Sequence, residues 1–175
     1  MKNYILLQLT FITQLMSKRN IMTLYLAYGM NTNVEQMASR CPNAISLGRV
    51  DIPDHRLVFR GVADIEYSPG DVLQTVMWWI SDDCELALDM LEGFPTFYGK
   101  KYFDINISNQ NHKDKAMIYQ MIGDRLDYAH PSNYYQYLLE EGYKDHGLDL
   151  NQIYNAEGFS EVEDTLDYIN RRYAY

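Results

Sequence analysis

The stretch LYLAYGMNTN at residues 24–33 constrains the fold more than any other part of this chain. Its first five residues are apolar or aromatic and predict a β-strand. Gly29 follows directly, and residues 33–36 (NVEQ) have the pattern of a capping box that opens a helix reaching about Arg40. The strand therefore enters a helix through a very short loop. Two interpretations are open: a plain strand-to-helix turn, or a loop whose backbone amides are presented to a ligand.

The rest of the pattern is that of one α+β domain. The further predicted strands are residues 57–65, 72–80, 101–107 and 116–121, with a turn at 68–70 (SPG). Residues 72–80 (VLQTVMWWI) have so few polar members that they predict an interior strand. Helices are predicted at residues 81–92, from Pro131 and from Ser160. Because strands come in runs with helices placed irregularly between them, the pattern favours α+β over a doubly wound parallel sheet.

Composition limits the classes of function. At 175 residues the chain is long enough for one domain with its own core. The net charge of -9 argues against nucleic-acid binding, which needs a basic surface. Cys41 and Cys84 make no disulfide framework and lack the spacing of zinc ligands, while the four histidines are scattered. We therefore expect no metal site and a reducing, cytoplasmic setting.

Residues 1–22 form an N-terminal extension, and the domain is assigned to residues 23–175. The apolar run at residues 4–16 is interrupted by Gln and Thr, and no small-residue cleavage site follows it. It is also shorter than the about 20 apolar residues that span a membrane. We expect neither a signal peptide nor a transmembrane helix. Met22 is the expected natural start, or the segment is loosely attached; the alternative is a short amphipathic helix on the domain or on a membrane surface.

The helix predicted at residues 81–92 ends in a carboxylate, Glu92. Three apolar residues are expected to face the core, namely Leu86, Leu88 and Leu91. Gly93 has the position of a C-cap glycine. A solvated acidic face is the ordinary interpretation of carboxylates on a helix. However, a carboxylate in the last turn opposes the helix dipole, and this field, together with any burial, raises its pKa toward neutrality. Glu92 is therefore a candidate general base.

Several short motifs, taken in order, resemble the gamma-glutamylcyclotransferase-like (AIG2-like) family. The motifs are YLAYGMN at residues 25–31, RCP at 40–42, LDMLEG at 88–93, AMIY at 116–119, PSNYY at 131–135 and EGY at 141–143. No single motif is specific, but their order and approximate spacing match the family over about residues 23–153. The resemblance implies a small mixed β-barrel flanked by helices, in agreement with the α+β pattern.

The resemblance also implies a reaction. Family enzymes cyclise a γ-glutamyl group: the α-amine of the substrate attacks its own γ-carbonyl, forms 5-oxoproline and releases the amine, with no cofactor. Glu92 matches the catalytic glutamate that moves the protons. The implied substrate contacts are Tyr25, Leu26, Ala27, Tyr28, Gly29, Met30, Asn31, Tyr119 and Tyr135. The implied partner is a small γ-glutamyl molecule, no nucleic acid or membrane partner is expected, and a homodimer is left open.

Each implied role has a structural alternative. The backbone N–H groups of Gly29, Met30 and Asn31 would hold the substrate carboxylate and the developing oxyanion. The hydroxyls of Tyr119 and Tyr135 would hold the substrate carboxylate. In the alternative interpretation, Gly29 is a turn glycine and Tyr119 is a core or barrel residue. The tyrosine assigned to position 135 could equally be its neighbour Tyr134 or Tyr137. Arg40 is expected to be a structural ion-pair partner rather than a substrate group.

The chain departs from the family pattern at Met30, where the family has serine, and at Thr32, where it has an aliphatic residue. If position 30 acts through its backbone N–H, methionine only reshapes the pocket. If the serine hydroxyl is used, activity or substrate choice has changed. The alternative function is a non-catalytic module that sequesters a small ligand in the same pocket. Retention of Glu92 favours the enzyme, because a pure binder of anions has no need of a carboxylate there.

Overall fold

The computed structural model describes residues 22–105, 114–123 and 127–159. The predicted extension, apart from Met22, and the helix predicted from Ser160 lie outside these residues. The described elements are β1 (Met22–Ala27), a 3-10 turn (Met30–Thr32), α1 (Val34–Arg40), β2 (Ile45–Phe59), β3 (Ala63–Ser81), α2 (Asp82–Leu91), β4 (Tyr98–Ile105), β5 (Asp114–Met121), α3 (Asn133–His146) and α4 (Asn151–Tyr154). Met22, which the predicted boundary places in the extension, is the first residue of β1.

The five strands form one mixed sheet in the order β2-β3-β1-β5-β4. β1 pairs antiparallel with β3 and parallel with β5, whereas the β2–β3 and β4–β5 pairs are antiparallel. The α+β class is therefore confirmed. The expected barrel is corrected in one respect: backbone pairing in the described part of the chain leaves β2 and β4 as edges, so the hydrogen bonds of the sheet do not close it. Side chains bridge β3 and β5 instead, since Asp64 accepts from the N–H of Met121 at 2.9 Å.

The predicted strand at residues 57–65 is wrong. The chain reverses at residues 60–62, where Gly61 has a φ of 83°, and Phe59 pairs with Ala63 across the turn. Because apolar residues flank this very short turn on both sides, the sequence pattern of two strands resembles that of one. Gly61 is the residue in the sequence that indicates the turn between them. The predicted turn at 68–70 lies within β3, opposite a register shift between Pro53 and His55. β3 is an interior strand as predicted, since its residues 76–79 pair with both β1 and β2, whereas residues 72–75 pair with β2 alone.

The burial predicted for α2 is partly wrong. Leu88 is fully buried, but Leu86 is 62% exposed and Leu91 is 51% exposed. The second buried residue of the helix is Cys84, four positions before Leu88, and this spacing defines the inward face. The start of the helix agrees with the prediction, since the side chain of Ser81 caps it by accepting from the N–H of Cys84.

The strand-to-helix stretch that opens the domain is hydrogen-bonded to α3, which lies more than 100 residues later in the sequence. Asn33 caps α1 through its side chain, which accepts from the N–H of Gln36, as the capping box predicted. The Asn33 amide also donates to the carbonyl of Leu138 in α3. The hydroxyl of Tyr143, a fully buried residue of α3, donates to the carbonyl of Tyr28 at 3.1 Å. Helix α3 therefore fixes the position of the loop that follows β1.

The described residues contain no helix that is long and apolar enough to cross a membrane. Within the same residues, no group of three or more His, Cys, Asp or Glu side chains is placed to hold a metal ion. Cys41 and Cys84 are both buried and reduced. Their contact is a weak one, with the sulfur of Cys41 lying 3.7 Å from the carbonyl oxygen of Cys84.

Candidate active site

A cavity of about 280 Å³ opens where β1 ends. Its walls come from the loop after β1, the start of β3, the end of α2, the start of β4, and one residue each from β1, α1, β5 and α3. The lining residues are Tyr25, Tyr28, Gly29, Met30, Asn31, Arg40, Val62, Ala63, Leu91, Glu92, Phe97, Tyr98, Tyr119 and Tyr135. Its deep residues are mostly tyrosines with one amide, whereas Leu91 and Phe97 are about half exposed and form part of the rim.

Eight of the ten residues implied by the resemblance line this cavity, and Leu26 and Ala27 do not. The structure therefore does not bring these two residues to the cavity. Both side chains are buried in the core, at 0% and 1% exposure. Leu26 lies on the face of β1 opposite to that of Tyr25, because successive side chains of a strand alternate between the two faces. Ala27 shares the face of Tyr25, but its short side chain does not line the cavity.

Glu92 is the C-cap residue that follows the last helical residue of α2, and Gly93 comes next with a φ of 62°. Its N–H donates to the carbonyl of Leu88 at 2.8 Å, so the helix fixes the backbone of the carboxylate. Burial raises the pKa of Glu92 to about 7, and the charge of Arg40 and the hydrogen bond from Asn31 act in the opposite direction. Removal from water, rather than the helix dipole, is thus the main cause of the shift.

Asn31 connects the loop to this carboxylate. Its side chain is buried, and its amide nitrogen donates to Glu92 Oε1 at 3.1 Å and to the hydroxyl of Tyr25 at 2.8 Å. Both amide hydrogens are used by these two bonds, so the orientation of the side chain is fixed. Glu92 Oε2 has no hydrogen-bond partner in the described part of the chain. One carboxylate oxygen is therefore held in place and the other is open to the cavity.

Arg40, the last residue of α1, completes this row of polar groups. Its guanidinium donates to Asn31 Oδ1, to the sulfur of Met30 at 3.0 Å and to Gln36 Oε1 at 3.1 Å. The expected structural ion pair is not present: no carboxylate lies within 4 Å of the guanidinium among residues 22–105, 114–123 and 127–159. Arg40 is instead held by neutral acceptors at the wall of the cavity.

The hydroxyl of Tyr119 is not turned toward a ligand. It donates to Asp89 Oδ1, and Lys100 donates to the same carboxylate at 2.7 to 2.9 Å. Burial and this hydrogen bond raise the pKa of Tyr119 far above its usual range. The expectation that this hydroxyl donates to a substrate carboxylate is therefore corrected, because its proton is engaged by Asp89. Tyr119 contributes its ring, which meets the ring of Tyr25 edge-on.

Tyr135 is the member of its tyrosine cluster that faces the cavity. Its neighbours Tyr134 and Tyr137 are 68% and 57% exposed on the outer face of α3. The oxygen of Tyr135 accepts from the N–H of Ala63 at 3.1 Å, and the N–H of Met30 interacts with the same oxygen. Burial raises the pKa of Tyr135 to about 12, so the phenol is protonated at neutral pH. Because the oxygen already accepts from the backbone, its own proton is free to be donated into the cavity.

Gly29 is required by space and not by backbone conformation. Its φ of -101° is open to any residue, but a Cβ added there would lie 2.9 Å from the hydroxyl of Tyr135 and 3.2 Å from the Cβ of Ala63. We expect Gly29→Ala to lower the free energy of unfolding by about 1–2 kcal/mol, because Tyr135 must move. Chemical denaturation of Gly29→Ala, Tyr135→Phe and the double variant measures this.

In that comparison the double variant should lose less stability than the two single variants together, since removing the hydroxyl clears the space that the new methyl group needs. Strict additivity would contradict the proposed contact. Tyr137→Phe, an exposed tyrosine on the same helix, is the matched control and should behave like the wild type.

Four residues of the cavity lie in none of the sequence motifs: Val62, Ala63, Phe97 and Tyr98. The first two reach it because the chain reverses at Gly61, and the hydroxyl of Tyr98 donates to the carbonyl of Ala63 at 2.6 Å. These residues carry no local signature. Recognising a turn at Gly61 in the sequence would have been the way to predict that Val62 and Ala63 lie near the loop after β1.

The comparisons with known proteins agree with this fold and cavity. No protein-family model matches the chain. A gamma-glutamylcyclotransferase of Bos taurus is 28% identical over 166 residues, which cover 82% of this chain and 87% of that protein. A solved structure of a gamma-glutamyl cyclotransferase has a TM-score of 0.64 and 26% identity, and the match covers 74% of this chain and 83% of that one.

A third match extends the fold likeness further. The crystal structure of YkqA from Bacillus subtilis has a TM-score of 0.60 at 20% identity, covering 79% of this chain and 54% of that chain, and this shows the fold alone. The two cyclotransferases cover most of the chain in both sequence and structure. In sequence motifs, overall sequence and fold, the protein resembles the gamma-glutamylcyclotransferase-like family, as its motifs predicted.

Proposed function

We propose that the protein is a cyclotransferase that converts a γ-glutamyl amine, amino acid or peptide into 5-oxoproline and the free amine. The observation that carries the proposal is the state of Glu92. It is a carboxylate at the wall of a tyrosine-rich cavity, its pKa is raised to about 7, one oxygen is fixed by Asn31 and the other is unoccupied. A group with these properties can both accept and return a proton near neutral pH. The likeness to cyclotransferases supports the same assignment.

The reaction needs no second substrate. The substrate enters with an α-ammonium group, and Glu92 accepts one of its protons. The freed amine attacks the γ-carbonyl carbon, a new C–N bond closes the five-membered ring, and the bond to the leaving nitrogen breaks. Protons that leave the α-nitrogen are delivered through Glu92 to the departing nitrogen, so the amine leaves as an ammonium ion and no charge is left over. Holding the substrate folded supplies the remaining acceleration, since such intramolecular reactions gain up to about 7–11 kcal/mol from geometry.

Two groups are proposed to stabilise the transition state besides Glu92. The hydroxyl of Tyr135 has a free proton at the cavity, and the backbone N–H groups of Gly29 and Asn31 lie on the loop beside it. We assign to these donors the oxyanion that develops on the γ-carbonyl oxygen. Position 30 acts through its backbone, because the N–H of Met30 interacts with the oxygen of Tyr135. This role does not require the hydroxyl of the serine that the family has at this position.

The test is direct detection of 5-oxoproline by mass spectrometry. The purified protein is incubated with γ-glutamyl amino acids, γ-glutamyl amines and glutathione, and 5-oxoproline and free amine are quantified together. We expect equimolar release from at least one class and none with Glu92→Gln. Binding of a γ-glutamyl compound without any release would contradict the proposal and favour a module that sequesters the ligand.

The pH dependence follows from the pKa of Glu92. The base must be ionised, and because burial raises its pKa to about 7, activity should rise as the pH increases through 7 and level off about one unit higher. At pH 5.5 only about 3% of the carboxylate of the free enzyme is ionised if its pKa is 7, so kcat/KM, which reports the free enzyme, should be about 30-fold below its plateau. A kcat/KM that is constant from pH 5 to pH 9 would contradict this role.

A further inference from the structure

Arg40 and Glu92 form an ion-pair receptor in which a single amide group separates the two charges. The guanidinium donates to Asn31 Oδ1, and the nitrogen of the same amide donates to Glu92 Oε1 at 3.1 Å. The two charged groups do not touch each other. Both line the cavity, so a cationic side chain and an anionic side chain face the same space from adjacent positions.

The guanidinium has donors to spare. Its three hydrogen bonds go to neutral acceptors on Asn31, Met30 and Gln36, and they use three of its five N–H groups. In the part of the chain that the structure describes, no carboxylate neutralises it within ion-pair distance. A partly buried cation at a cavity wall, fixed in orientation and without an anionic partner, matches a planar carboxylate on a ligand.

We propose that Arg40 binds the α-carboxylate of the substrate while Glu92 receives the neighbouring α-ammonium group. This inference rests on the proposed function and assigns the orientation of the substrate in it. An ammonium and a carboxylate bonded to the same carbon present opposite charges only a few ångströms apart. One amide and two hydrogen bonds span the gap between Arg40 and Glu92. An α-ammonium and α-carboxylate pair, with one hydrogen bond to each residue, spans a comparable gap.

The orientation makes Arg40 a specificity residue. Substrates must carry a free α-carboxylate, and compounds that have the α-amine and the γ-amide but no α-carboxylate should react poorly. A 4-aminobutyryl amide is such a compound: it closes to 2-pyrrolidinone by the same bond changes. The two products differ in the same way, because 5-oxoproline keeps the carboxylate and 2-pyrrolidinone lacks it.

The test compares two substrates and two enzymes. The kcat/KM of wild type and Arg40→Gln is measured with a γ-glutamyl amide and with the 4-aminobutyryl amide of the same amine. Loss of a charge-assisted contact should lower kcat/KM for the γ-glutamyl amide roughly 10- to 150-fold more than for the carboxylate-free analogue. An equal loss for both would overturn the proposal, because it would mean that Arg40 acts only on Asn31 and Glu92.

A binding measurement separates this proposal from the proposed function. Calorimetry with 5-oxoproline and 2-pyrrolidinone requires no turnover. Wild type should bind 5-oxoproline more tightly, and Arg40→Gln should lose that preference; equal affinities in the wild type, or no binding of 5-oxoproline at all, would overturn the carboxylate site. If the preference is present but no γ-glutamyl compound is turned over, the cyclotransferase proposal fails and the carboxylate site stands. Arg49→Gln, which removes an exposed arginine paired with Asp51, is the matched control and should keep both properties.

Discussion

Glu92→Gln should lower the turnover number by about 10²- to 10⁴-fold while changing little the affinity for 5-oxoproline, which carries no ammonium group for Glu92 to bind. Glutamine has the same shape, and its carbonyl oxygen can still accept from the side chain of Asn31, so the cavity is preserved. What disappears is the proton acceptor, because an amide is not a base near neutral pH. The measurement is 5-oxoproline release at pH 8, with ligand affinity determined on the same preparation.

The stability of this variant distinguishes a lost base from a lost fold. The pKa of Glu92 rises from an ordinary value of 4.5 to about 7 on folding, so the folded protein binds the proton more tightly and wild-type stability falls as the pH rises from 4.5 to 7. Glutamine does not titrate. Relative to wild type, Glu92→Gln should therefore gain roughly 2–3 kcal/mol between pH 4.5 and pH 8. Turnover near the wild-type rate would remove Glu92 from the mechanism, and Asp83→Asn on the exposed start of α2 is the matched control.

Gly142→Ala should destabilise the protein by about 3 kcal/mol or more, although alanine is the better helix former. Gly142 lies within α3 against the loop after β1, where an added Cβ would be 2.7 Å from the carbonyl carbon of Thr32 and closer still to two further atoms. Two of these three atoms belong to the backbone and cannot move aside cheaply. Urea unfolding of the variant gives the change in free energy.

The sign of this effect is the informative part. Helix propensity alone would make the alanine variant more stable by about 1 kcal/mol. A stabilised protein would therefore contradict the close contact between α3 and the loop. Glu141→Ala, at the preceding position and facing solvent, should change stability by less than about 0.5 kcal/mol, because its ion pair with Lys144 is exposed. The displaced loop should also reduce activity in Gly142→Ala.

Local patterns could be predicted because they are read over a few residues. The strand ending at Gly29, the capping box at Asn33 and the helix ending at Glu92 each depend on neighbours within one or two turns. The same holds for the position of Tyr135 on a helix, although only the structure separates it from Tyr134 and Tyr137. Motif order then placed these elements in one family, which the fold comparison supports.

The contacts that make the site work could not be predicted, because they join distant segments. Nothing in the sequence near Arg40 shows that its guanidinium meets Asn31 instead of an acidic partner. The hydroxyl of Tyr119 donates to Asp89 instead of to the cavity, and this depends on how β5 packs against α2. The hairpin turn at Gly61 was not predicted because apolar residues flank it closely. The contact between Ala63 and Tyr135, which depends on that turn, was therefore not predicted either.

The site is assembled from segments that are far apart in the sequence. Asn31 and Glu92 are separated by 61 residues, Asn33 and its partner Leu138 by 105, and Tyr28 and Tyr143 by 115. Contacts of such long range form late, because closing long loops costs entropy before the contacts stabilise anything. A nascent chain that ends before α3 contains Glu92 but lacks the helix that supports the loop after β1. Recovery of activity during refolding should therefore report the completion of the whole domain and not the formation of any one element.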